Sequence, residues 1–179
     1  MILKLCQRMG NNQKGVTMVE LLMAMAVSGI IAAAVGTTIS QVFHLNARTS
    51  NHMVAVRQVQ NAGYWVSRDA QMAQNVNTTA GNGFPVVLSW TQWDGSEDEV
   101  TYSLENASGT LKNLRRTYSV NSTSQSDTIV GQCIDPALTS CNYNSDNNTL
   151  AFTITATVGS GSRSESETRK YEVHPRPGS

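Results

Sequence analysis

Between Leu21 and Val42 the chain carries no Asp, Glu, Lys or Arg. Ala, Met, Leu, Ile and Val dominate, interrupted only by small or polar residues at Ser28, Gly29, Gly36, Thr37, Thr38, Ser40 and Gln41. A membrane-spanning helix needs about 20 mainly apolar residues, and this run is long enough. Its small residues let neighbouring helices approach closely. A secretory signal sequence is the simpler alternative. Its apolar region, however, runs roughly 7–15 residues and closes on a small-x-small cleavage site. This run is longer and has no such close. A plain signal anchor leaves Glu20, at the head of the run, unexplained.

A carboxylate in hydrocarbon costs about 2.5–3.5 kcal/mol on insertion scales, so Glu20 needs compensation. A cut after Gly15 would make Val16 the new N-terminus. Its amine, with a reference pKa of about 8, stays positive near neutral pH. Val16 and Glu20 are four residues apart, which predicts that they share one helix face. Glu20 also falls in the first turn, where the helix dipole favours negative charge. One helix would thus partly neutralise itself. Two staggered copies would do better, with Glu20 of one beside the Val16 amine of the next, and that pairing would set an axial register.

Lys14-Gly15 followed by Val16-Thr17-Met18-Val19-Glu20-Leu21-Leu22 resembles the N-terminal signal of type IV pilins and type II secretion pseudopilins. The family pattern is Gly, an N-methylated residue, three mostly apolar positions, Glu, then a long apolar helix. The resemblance implies cleavage between Gly15 and Val16 by a prepilin peptidase, and N-methylation of Val16 by the same enzyme. It implies Glu20 as the assembly and register residue. Its partners would be other pilin or pseudopilin subunits, the inner-membrane assembly platform, and membrane lipid before assembly. The family usually has Phe where this chain has Val16, and many major pilins kink their helix at a proline that is missing here. Both departures point to a minor pilin or pseudopilin. The resemblance is strong over residues 8–43 and diffuse beyond.

The formal charge of the whole chain is +0, which gives no electrostatic case for nucleic-acid binding. Lys4, Arg8 and Lys14 lie in residues 1–15, which hold no acid. Removing them from the 13 bases leaves ten against 13 acids. By the positive-inside rule these three bases keep the N-terminus cytoplasmic and send the rest outward. The expected location is therefore the cell membrane, single-pass, and an extracellular or periplasmic filament after assembly. Cys6 goes with the leader. Cys133 and Cys141 remain outside, where two cysteines in a polar segment suggest a disulfide closing a short loop. Zinc is disfavoured, because two further ligands are missing at the usual spacing.

The helix is expected to continue past the apolar run. Met53, Val56, Val59, Gly63, Val66, Ala70 and Ala73 recur at intervals of three and four, an amphipathic stripe. Arg48, Arg57, Arg68 and Asp69 fall largely off it, and His44 and His52 read as polar-face residues. No proline occurs from Val16 to Asn75, so the helical part reaches roughly 90 Å at 1.5 Å per residue. The stripe is a poor coiled-coil seam, since Gly63 and the alanines make weak knobs.

Composition changes after Asn75. Residues 75–83 read as a loop by their Asn and Gly content. Strands are expected over Phe84–Trp93, around Val100–Leu104, over Leu111–Val120 with an exposed Arg115-Arg116 pair, over Leu150–Val158, and over Arg169–Val173. Glu97, Asp98 and Glu99 read as a solvated loop. Asn121 to Thr149, rich in Asn, Ser and Thr, reads as an exposed outer surface. The sum is an α+β fold: a long N-terminal helix, membrane-spanning first and amphipathic second, packed against an antiparallel β-sheet. The expected divisions are a leader at 1–15, a membrane or filament-core helix at 16–43, an amphipathic helix at 44–76, and a head at 77–179. Trp90, Trp93, Tyr102, Phe152 and Tyr171 are the core candidates.

No grouping in the head demands catalysis. There is no Gly-x-Ser-x-Gly elbow and no Gly-rich phosphate loop before a helix. The stretch Asn142–Asn148 could offer oxygens to calcium but lacks the carboxylates and closing Glu of an EF-hand, so it reads as a polar turn. Neither a cofactor nor a metal is expected. The chain reads as a filament subunit and not an enzyme. The alternative is a single-pass membrane-anchored adhesin or binding module that does not polymerise; for it, Glu20→Ala would be harmless.

Overall fold

The stripe and the apolar run belong to one helix, α1, Met18–Met72. The computed structural model describes residues 15–107 and 109–176. The rest of the leader, with Lys4, Cys6, Arg8 and Lys14, and the tail from Pro177 lie outside the described residues. Ala, Met and Leu favour helix, and no proline interrupts it. The chain divides into two units, one ending at His44 and one beginning at Leu45.

In the second unit α1 is followed by eight strands: β1 Asn75–Thr79, β2 Gly83–Thr91, β3 Glu97–Asn106, β4 Lys112–Val120, β5 Thr123–Ile134, β6 Ser140–Asn144, β7 Thr149–Val158 and β8 Glu165–Val173. They form one antiparallel sheet in the order β1-β2-β3-β4-β5-β7-β6, with β8 also paired to β7. The sheet curls on itself. Cys141 N–H on β6 donates to Asn82 O in the β1–β2 turn at 2.8 Å. Gly83 makes that approach possible: its φ is +85°, and a Cβ there would lie 1.7 Å from the Cys141 carbonyl oxygen.

One face of the sheet buries Val86, Leu88, Val100, Tyr102, Leu114, Leu150, Phe152 and Ile154 with Ala55, Val59, Ala62, Val66, Ala70 and Ala73 of α1. The small side chains on α1 allow close packing. A Cβ at Gly63 would sit 2.1 Å from the Tyr171 ring, whose hydroxyl donates to Val59 O at 3.2 Å.

Several sequence-based expectations are corrected. The predicted stripe on α1 is buried at Val59, Gly63, Val66, Ala70 and Ala73 and is widened by Ala55, Ala62 and Asp69, while Met53 is exposed. Tyr102 and Phe152 are core and Trp90 and Tyr171 are half-buried, but Trp93 is 95 % exposed. It sits in the β2–β3 turn, outside the alternation that turns Leu88 inward. Residues 75–79, expected as loop, pair with β2 from Asn75↔Ser89 to Thr78↔Val86, so the ladder overrides their composition. Residues 97–99 begin β3, with Asp98 buried. Of the arginine pair, Arg115 turns to Glu105 and Asp127 on the outer side, whereas Arg116 is largely buried. The expected outer surface from Asn121 contains β5 and β6; residues 123–129 are exposed, but Val130, Gly131 and Ile134 are not.

Cys133 and Cys141 are both free thiols, so the expected disulfide is not formed. Register supplies the reason. Ile134 pairs with Ala156 and Cys141 with Phe152 on the same strand, β7. Four positions along a strand is roughly 13 Å, beyond the Cα separation of about 7 Å that a bridge tolerates.

Candidate functional site

The sequence-predicted site residues Gly15, Val16 and Glu20 gather at the start of α1. Gly15 and Val16 precede the helix, and both are exposed. Among the described residues, a Cβ at Gly15 would meet nothing within 4 Å.

Thr17 is the residue immediately before the helix. Its Oγ1 accepts from Glu20 N–H at 3.3 Å, while Glu20 Oε2 accepts from Thr17 N–H at 3.3 Å and lies 3.3 Å from its hydroxyl. This is a reciprocal capping box: each side chain satisfies the other's backbone donor at a terminus that would otherwise leave donors unpaired. The carboxylate also lies where the helix dipole welcomes negative charge. In the uncut chain helical geometry begins only at Met18, and Glu20 pairs locally with Thr17. The signal that sequence reading missed is Thr17-x-x-Glu20 itself.

Beyond the cap, Leu21, Leu22, Met23, Met25, Val27, Ile30, Ile31, Val35 and Ile39 are all at least half exposed. An 18-residue window of α1 has mean hydropathy 2.2 and no part of it is buried, so the helix is long and apolar enough to cross a membrane. Three of its hydroxyls are satisfied internally. Ser28 donates to Met25 O at 3.0 Å, and Thr37 and Thr38 both donate to Ala34 O at 2.9 Å. Such back-bonding lets polar side chains sit in apolar surroundings. A Cβ at Gly29 or Gly36 would meet nothing within 4 Å.

A second constellation, in the head, was missed entirely. Asp69 on α1 is fully buried and accepts from Arg116 Nε at 2.6 Å, Arg116 Nη2 at 3.1 Å and the Tyr102 hydroxyl at 2.5 Å. Register brings the donors together, since Tyr102 on β3 pairs with Arg116 on β4. Arg116 also lies over the rings of Trp65, at 5.0 Å, and Tyr118, at 5.6 Å. Burial, and then the Asp69 charge, pushes the Tyr102 hydroxyl far above its usual pKa. Both Asp69 oxygens, Arg116 Nε and Nη2 and the Tyr102 hydroxyl are all engaged, so the cluster fastens helix to sheet. In the Asn142–Asn148 stretch, Asp146 N–H donates to Asn144 Oδ1 and the Tyr143 hydroxyl to Asn148 Oδ1, both at 2.9 Å. His44 and His52 are exposed.

The family model for the prokaryotic N-terminal methylation motif matches residues 10–36. No curated protein and no solved structure matches the chain. The matched segment spans the Gly15–Val16 junction, the Thr17–Glu20 cap and the first part of the uncovered apolar helix, and it stands ahead of an α+β, pilin-like layout. The chain thus carries the prepilin signal of type IV pilins and pseudopilins.

Proposed function

We propose that the chain is a minor pilin or pseudopilin, a structural subunit of a helical filament drawn from the membrane. One coincidence carries the reading. An exposed Gly15–Val16 junction, a capped helix start with a single acid, and an apolar span that no described residue covers fall together within the methylation motif. A prepilin peptidase cuts between Gly15 and Val16 and methylates the Val16 amine. Thr17 and Glu20 both lie downstream of the cut, so the cap survives it.

Glu20 then has two tasks, one for each oxygen. Oε2 takes the contacts from Thr17, and among the described residues Oε1 has no hydrogen-bond partner. A carboxylate offers about four acceptor sites, so Oε1 is free to receive the Val16 amine of a neighbouring subunit. That pairing offsets the cost of an ionised acid in an apolar filament core and selects one axial stagger. The head lies outside the membrane, by the charge of the leader.

The test is filament yield in cells with an active prepilin peptidase and assembly platform. Glu20→Gln keeps a side chain able to cap but removes the charge; it should insert normally and lower sheared filament by about ten-fold or more, as expected for losing a charge-assisted bond. Thr17→Val removes the cap and keeps the charge, and should lower yield less. Normal filament yield from Glu20→Gln would contradict the reading.

A further inference from the structure

Four aromatic side chains of the head, Trp65, Trp90, Trp93 and Tyr118, are gathered around one cleft. Trp93, in the β2–β3 turn, is 95 % exposed, the highest value among the exposed large hydrophobic side chains of the described residues. A single exposed apolar residue needs no explanation, but a contiguous patch does. Trp93 borders an open cleft of about 650 Å³ with Trp65, Trp90 and Tyr118, within the range of about 300–1,000 Å³ usual for small-ligand sites.

Asp98 and two of its neighbours are held in place by hydrogen bonds. Asp98 is 1 % exposed; its Oδ1 accepts from the Tyr118 hydroxyl at 2.7 Å and its Oδ2 from the Gln92 amide. Arg68 and Arg176 also line the cleft, and among the described residues neither has an ion-pair partner. Arg68 lies over the Trp65 ring at 5.3 Å, which orients its guanidinium while leaving its donors open.

We propose that this cleft binds a saccharide whose ring carries a carboxylate. A sugar ring has one apolar C–H face and a rim of hydroxyls. The C–H face stacks on Trp93, the hydroxyls meet Gln92, which Asp98 holds in place, and the sugar carboxylate takes the guanidinium donors of Arg68 and Arg176. A nucleic acid fits less well. The whole chain has 13 bases against 13 acids, which gives no electrostatic case for holding a polyphosphate backbone. A peptide would need open backbone partners, but β2 is paired on both sides, to β1 and β3. The proposal is independent of filament assembly.

The experiment uses the full chain in detergent micelles, with intrinsic tryptophan fluorescence titrated against trigalacturonate, sialyllactose and a hyaluronan tetrasaccharide. Maltotriose is the uncharged comparison, and a glutamate-rich peptide and a short single-stranded DNA are the competing classes. At least one acidic saccharide should give saturable binding, about ten-fold or more tighter than maltotriose. Trp93→Ala should weaken it about ten-fold or more. Arg68→Gln should bring it down to the maltotriose level. Both side chains are exposed, so both variants should keep the wild-type Tm. Absence of binding by all three acidic saccharides, unchanged binding by Trp93→Ala, or tighter binding of the peptide or the DNA would each overturn the proposal.

Discussion

Asp69 on α1 and Arg116 on β4 meet at 2.6 Å across 47 residues of sequence, the acid fully buried and the arginine nearly so. Removing one partner leaves the other charge buried and unpaired, which costs about 3–5 kcal/mol. Asp69→Ala should therefore lose stability on that scale in denaturant unfolding of the full chain in detergent. Asp69→Leu combined with Arg116→Met should be much milder, because apolar pairs of similar volume replace buried ion pairs at little cost. A loss below about 1 kcal/mol in Asp69→Ala would place the pair among ordinary surface bridges.

Gly63 marks where the helix comes closest to β8. Alanine there would drive its methyl into the Tyr171 ring, and overpacking of this kind costs about 1–3 kcal/mol. Gly36→Ala is the control, since a Cβ there meets nothing. Thermal unfolding should separate the two, with Gly63→Ala lowered and Gly36→Ala unchanged or slightly raised.

The sequence made some of this legible and hid the rest for physical reasons. Helix, apolar span and strand β7 were readable because their side chains follow simple periods. Asp98 and Arg116 were misread because charge was weighted above phase. Asp98 alternates with Val100, Tyr102 and Leu104, and Arg116 with Leu114 and Tyr118, which puts both on the inward face. Asp69 likewise follows Val66 by three and precedes Ala73 by four. Strands β1 and β5 escaped notice because neighbouring ladders hold them, and most of their side chains stay exposed or half-buried. At the helix start, Thr17 was visible all along as the partner of an acid three residues on.

Alkaline pH should loosen the head. Burial pushes the Cys141 thiol up from 9.0 to about 12, and burial together with Asp69 raises the Tyr102 hydroxyl from 10.0. Both groups hold their protons longer folded than unfolded, so stability is fully present below about pH 9 and falls as pH rises. The unfolded chain releases Cys141 first and Tyr102 next. Each costs up to about 1.4 kcal/mol per pH unit above its unfolded pKa. Unfolding measured from pH 7 to 11 should show this decline, and Cys141→Ala or Tyr102→Phe should flatten it. A flat wild-type profile would contradict burial of these groups.

The two head cysteines should behave as separate thiols. Cys133 is half-buried and Cys141 buried, so an alkylating reagent should modify Cys133 in the folded chain and Cys141 only after unfolding. Cys133→Ser should leave Tm unchanged. Recovery of a peptide linking the two residues under non-reducing digestion would contradict the strand register.

The most direct measurement is the mass of the N-terminal peptide from cells with an active prepilin peptidase, compared with cells lacking it. Processing at the exposed junction predicts a chain that begins at Val16 and carries one added methyl group when the enzyme is present, and an intact leader when it is absent. An intact leader in both strains, or a start at any other residue, would contradict it.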